Sequence, residues 1–143
     1  MPVVTNATVK VNTFKTIYTL LNSNKPSGWT VLSSFPDSAP VFPCIVIEPA
    51  KVSIMSPTFR IDARKYDIEV ELAFYVKASD RKEALDAGVD TVREVILNNE
   101  ATFETNKLVL ATDIPFDETN VNTIQVEGIK LHNSFAIIKL RKI

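Results

Sequence analysis

The chain is short of the residues on which most protein site chemistry depends. It holds only three glycines, Gly28, Gly88 and Gly128. None lies in a spacing that cradles phosphate, so P-loop and dinucleotide fingerprints are excluded. One histidine, His132, and one cysteine, Cys44, cannot build a zinc site of the usual Cys/His kind. No calcium-loop spacing of acids occurs, and no cofactor is expected. The lone cysteine excludes an internal disulfide, and inside the apolar run 43–47 it reads as a small buried hydrophobe. No apolar run approaches the ~18 residues of a membrane-spanning helix. Residues 1–6 lack the basic and apolar regions of a signal peptide. There is no basic block either: 16 Lys and Arg face 17 Asp and Glu, for a formal net charge of −1. The largest basic cluster, Lys139, Arg141 and Lys142, is too small to neutralise a run of phosphates.

What remains is the composition of one globular domain spanning residues 1–143. The hydrophobic fraction is 45% and the charged fraction 23%, values that fit a packed core and not disorder. A chain of this length buries enough surface on folding to need no staples.

Periodicity predicts the elements. Val11, Phe14, Tyr18 and Leu21, with Ile17 beside them, fall at helical spacing over 8–23. Residues 24–43 are broken by Gly28 and four prolines, with a short strand possible at 29–32. Residues 44–48 read as a buried strand ended by Pro49. The alternations Val52/Ile54 and Phe59/Ile61, separated by Ser56-Pro57, predict a projecting β-arm. The clearest strand is 66–76, where Tyr66, Ile68, Val70, Leu72, Phe74 and Val76 alternate with Asp67, Glu69, Glu71, Ala73 and Tyr75. A helix over 80–98 follows, opened by Asp80 and Glu83, with a stripe of Leu85, Val89, Val92 and Ile96 flanked by Gly88 and Val95. Strands are expected at 107–112, 122–131 and 133–140, the last two as a hairpin or one bent long strand with the break near His132-Asn133-Ser134, and a loop is expected at 113–120. Helices and strands do not alternate strictly. The expected fold is therefore α+β, a mainly antiparallel or mixed sheet with two helices on one face.

The polar residues suggest no catalytic set, and no enzyme is expected. His132 beside Asn133-Ser134 reads as structural, because nothing nearby suggests an oriented nucleophile and base. Asp67, Glu69 and Glu71 form an acidic stripe without the asymmetry that acid–base catalysis needs. They read as a solvated face, with Lys139 and Arg141 as candidate cross-strand partners. Ile54, Phe59, Arg60, Arg64 and Lys65 on the arm mark either a solubilising edge or a contact surface. Trp29 is either a core plug or an interface anchor.

The ordered set resembles one family. An early helix is followed by the proline-bounded strand Phe42-Pro43-Cys44-Ile45-Val46-Ile47-Glu48-Pro49 and then an arm. The long alternating strand Tyr66-Asp67-Ile68-Glu69-Val70-Glu71-Leu72-Ala73-Phe74-Tyr75-Val76 comes next, a helix follows it directly, and Phe135-Ala136-Ile137-Ile138-Lys139-Leu140 closes the set. This pattern is similar to the tail terminator, or tail-completion, proteins of tailed bacteriophages and other minor head–tail joining proteins. The resemblance implies a structural virion protein, with no cofactor and no catalysis. It implies a homohexameric ring that caps the tail tube protein and joins it to the head connector protein, assembled in the host cytoplasm. DNA would be passing cargo only, and no membrane is involved. On that reading Ile54, Phe59, Arg60, Arg64 and Lys65 are candidates for a subunit or tail-tube interface, and Asp67, Glu69 and Glu71 for the channel lining. The competing expectation is a small ligand-binding or regulatory domain with a concave apolar pocket.

Overall fold

Period-two alternation places 66–77 and 129–142 at the centre of the molecule, and a computed structural model shows how the rest assembles around them. It describes residues 6–33, 42–54, 66–78, 82–112, 114–119, 121–126 and 128–142. The elements in chain order are α1 (Asn6–Asn24), β1 (Thr30–Leu32), β2 (Cys44–Ile47), β3 (Lys51–Ile54), β4 (Tyr66–Lys77), α2 (Lys82–Leu97), α3 (Glu100–Thr105), β5 (Leu108–Leu110), β6 (Phe116–Glu118), β7 (Asn122–Val126) and β8 (Ile129–Lys142). The fold is α+β, with a sheet that is mainly antiparallel and, among the described residues, eight-stranded with one parallel pair, β1 with β2.

Strands β4 and β8 pair antiparallel along their length, from Tyr66 opposite Lys142 to Lys77 opposite Leu131. Short strands line both outer edges of this ribbon. On the β4 side lie β2 and β3; on the β8 side β5, β6 and β7 follow one another. Between Ile47 opposite Leu72 and Lys51 opposite Glu69, three residues face two. This is a bulge at Pro49, which has no N–H to give the ladder, while the Glu48 N–H still donates to the Glu71 carbonyl at 2.9 Å. Strands β3 and β4 form the base of the expected arm. Residues 55–65 between them, with Phe59, Arg60, Arg64 and Lys65, lie outside the described residues.

One alternation set of the sheet, including Ile45, Ile68, Leu72, Phe74, Ile138 and Leu140, joins α1 and α2 in a single buried cluster. The α2 stripe is the expected one: Leu85, Gly88, Val89, Val92 and Ile96 are buried. Gly88 is there for space. A Cβ at this position would lie 2.3 Å from the Trp29 ring. Trp29 is itself buried and meets Phe74 edge-on at 6.3 Å. It is a core plug.

Three expectations are corrected. The buried stripe of α1 runs through Val9, Thr13, Thr16, Ile17, Leu20 and Leu21. Val11 is 51% exposed, and Phe14 and Tyr18 stack half-buried at its flank. Threonine can occupy the core face because each hydroxyl donates to the carbonyl four residues back, Thr13 to Val9 and Thr16 to Asn12. The loop expected at 113–120 contains β6. The break expected at His132-Asn133-Ser134 is absent, and β8 runs through it, because each polar side chain finds a partner. Thr123 Oγ1 lies 3.3 Å from His132 Nδ1, Asn133 Nδ2 donates to the Phe74 carbonyl, and Ser134 Oγ to the Thr119 carbonyl. The chain reverses instead between β7 and β8, where Gly128 takes φ +79°. The short helix α3, which buries Phe103, had no counterpart among the expected elements.

Candidate functional site

The helices cover one face of the sheet, and the opposite face carries the sequence-predicted acids. In-register partners project to the same side of a sheet, so the pairing defines this open face. Asp67 stands between Ser53 and Arg141, and Glu69 between Lys51 and Lys139. Glu71 faces Ile137. Arg141 Nε approaches Asp67 Oδ1 to 3.4 Å, with both side chains about half exposed. The expectation of Lys139 and Arg141 as cross-strand partners therefore holds in register, and Lys51 is a third cation that the sequence reading missed. Its signal was the period-two spacing of Lys51 and Ser53. Asp117, also opposite Ile137, adds a fourth acid beside Glu71, so four acids stand against three bases.

A shallow depression of about 360 Å³ opens on this patch, lined by Asp67, Glu69, Lys139, Arg141, Ala111 and Ile114, among others. Ile114 is 53% exposed. Beyond Glu71 the same face turns apolar. Cys44, Val46 and Ala73 are buried there, with Leu32, Phe42, Tyr75 and Phe135 packed around them. Phe42 meets Tyr75 edge-on at 6.4 Å. Burial pushes the Cys44 thiol up to about 12, so at neutral pH it is a protonated, inert side chain and no nucleophile. The Tyr75 hydroxyl is also raised, first by burial and then by Cys44, Glu48 and Glu71.

The other candidates are dispersed. Ile54 ends β3 opposite Tyr66. His132 sits at the far end of the ribbon from Asp67, and Ser134 bonds a backbone carbonyl instead of the imidazole. Among the described residues no three His, Cys, Asp or Glu side chains converge as metal ligands, and no buried side-chain polar atom lacks a partner. A second depression, of about 540 Å³, lies between α1 and α3, with Asn12, Lys15, Leu20, Ser23, Thr102 and Asn106 among its walls. No helix of the described chain is long and apolar enough to cross a membrane. The chain matches no family model and no curated protein.

Proposed function

We propose that the chain is a structural virion subunit of a tailed bacteriophage. Copies close into a ring, a hexamer by the resemblance, that caps the tail tube and joins it to the head connector. The observation that carries this reading is the sheet face that no described helix covers. The described helices lie on one side, and the other presents Asp67, Glu69 and Glu71 interleaved with Lys51, Lys139 and Arg141. A wall of a channel that passes DNA must not hold phosphates. Binding to phosphates needs cations that are free to displace counterions, and here the cations stand beside carboxylates. The segment 55–65 joins the end of β3 to the start of β4. Ile54, Phe59, Arg60, Arg64 and Lys65 are assigned on this reading to contacts with the next subunit or the tube protein. No step in this role needs a cofactor or a membrane.

Light scattering behind a sizing column, over a wide range of concentration, tests it together with electron microscopy of the same fractions. The expected result is a particle of six 15.9 kDa copies with an axial opening. A strict monomer that forms no ring, alone or on tube ends, would overturn the reading and leave the small-ligand domain in its place. A ring with Asp67, Glu69 and Glu71 on its outer wall would overturn the channel assignment alone.

A further inference from the structure

The helical layer carries two unlike patches of opposite charge. Helix α1 has two lysines, Lys10 and Lys15, and no acid. Both are exposed, and neither has an acidic partner among the described residues. Between them Val11 is 51% exposed, one of three large hydrophobics so placed among the described residues. Val11 and Lys15 stand four residues apart and so share a helix face, with the half-buried Phe14–Tyr18 stack adjoining it. Helix α2 has the opposite character, with four acids against two bases. Its outer side holds an open depression of about 450 Å³ lined by Asp90, Thr91, Glu94, Val95, Asn98 and Asn99. Val95 gives that lining an apolar member, and Glu94 has no basic partner among the described residues. Asp90 and Glu118 share Arg93.

We propose that copies of this chain associate head to tail through these patches. The Val11 knob and Lys15 of α1 on one copy seat against Val95 and Glu94 of α2 on the next. The occupant is a second copy because the two patches are opposite in charge, Lys15 against Glu94, and the exposed Val11 of one copy has an open depression with an apolar member to enter on the other. Two different patches on one molecule make a heterologous contact, which closes into a ring or runs on as a filament. The proposal deepens the ring reading and rests on it. Like charges set opposite each other across an interface disfavour association strongly, so reversing one charge is a sharp probe.

The experiment measures self-association of the full chain by sedimentation velocity for wild type, Lys15→Glu, Glu94→Lys and the double variant. Both substituted positions lie on exposed helix surface, and circular dichroism confirms that each variant folds. Each single reversal is expected to raise the dissociation constant about tenfold or more. The double variant is expected to recover to within about threefold of wild type, because the pair is restored with its signs exchanged. An equimolar mixture of the two single variants should likewise assemble where neither does alone. If wild type assembles and both reversals leave assembly unchanged, this interface is wrong while the ring reading stands. If both single variants weaken assembly and the double variant does not recover, the pairing of the patches is overturned. If wild type stays monomeric at every concentration, the proposal fails together with the ring reading, and the patches belong to contacts with a different protein.

Discussion

On the helix-covered side of β4, Tyr66, Ile68, Val70, Leu72, Phe74 and Val76 are all buried, whereas the open side of the same strand carries Asp67, Glu69 and Glu71 before turning apolar at Ala73 and Tyr75. One strand thus meets two different constraints in alternate residues. The covered side is held by shape, because α2 and Trp29 leave no slack against it. The charged half of the open side is held by backbone pairing and by charges that water can replace, and its other half by the small apolar cluster around Cys44, Val46 and Ala73. Substitutions should therefore separate the two sides by energy, and the separation can be broken or sharpened in three steps.

The largest effect belongs to Phe74. Its side chain is fully buried and braces Trp29, so Phe74→Ala is expected to cost about 3–5 kcal/mol. Against a total stability of about 5–15 kcal/mol, that brings the domain near its unfolding threshold. Glu71→Ala, three residues earlier on the open side, should stay within about 0.5 kcal/mol. Urea unfolding followed by circular dichroism reads both. Similar costs for the two would show that the open face is as tightly packed as the covered one.

A smaller effect sharpens the account of the covered side. Gly88→Ala in an ordinary exposed helix interior would stabilise by about 0.5–1 kcal/mol. Here the added methyl meets the Trp29 ring at 2.3 Å, and overpacking of this kind costs about 1–3 kcal/mol. The sign therefore reverses. In a Trp29→Phe background the contact is relieved, and the cost of Gly88→Ala should shrink, giving a coupling that a double-mutant cycle reads directly. Equal costs in the two backgrounds would mean that Trp29 is not what Gly88 makes room for.

These residues also show what the sequence could and could not reveal. Where one face is buried throughout, alternation is strict, and β4 and α2 are legible for that reason. Helix α1 was legible as a helix but not in its orientation. Aromatic spacing pointed to Val11, Phe14 and Tyr18, while the core chose Val9, Thr13 and Thr16 because backbone carbonyls satisfy the threonine hydroxyls. The polar run in β8 failed for the same reason, since partners 9–59 residues away complete its hydrogen bonds. Strand β5 was legible within 107–112, whereas β6, three residues long, is too short to carry a period and pairs along the edge of β8. For the open face, the acids and two of the bases beside them, Lys139 and Arg141, were legible, but not Lys51, which only the register reveals.

The smallest effect is the most informative about that face. Asp67 and Arg141 are about half exposed and 3.4 Å apart. A pair of this kind contributes about 0.2–1 kcal/mol, less at high salt, where the Debye length shrinks to a few ångströms. A cycle of Asp67→Asn and Arg141→Gln should therefore give a coupling below about 1 kcal/mol that fades as salt is added. That result holds for a face open to water. A face covered in an assembly would behave differently, since removing one member of a desolvated pair leaves the other buried and uncompensated, at about 3–5 kcal/mol. Measured on dilute monomer and again at concentrations where the chain associates, the same cycle reports whether the charged half of the sheet is buried in the assembly. A coupling that stays small and salt-sensitive in both states keeps Asp67, Glu69 and Glu71 on a wet wall, as a channel lining requires. A coupling that grows on association removes them from the channel and makes them part of an interface.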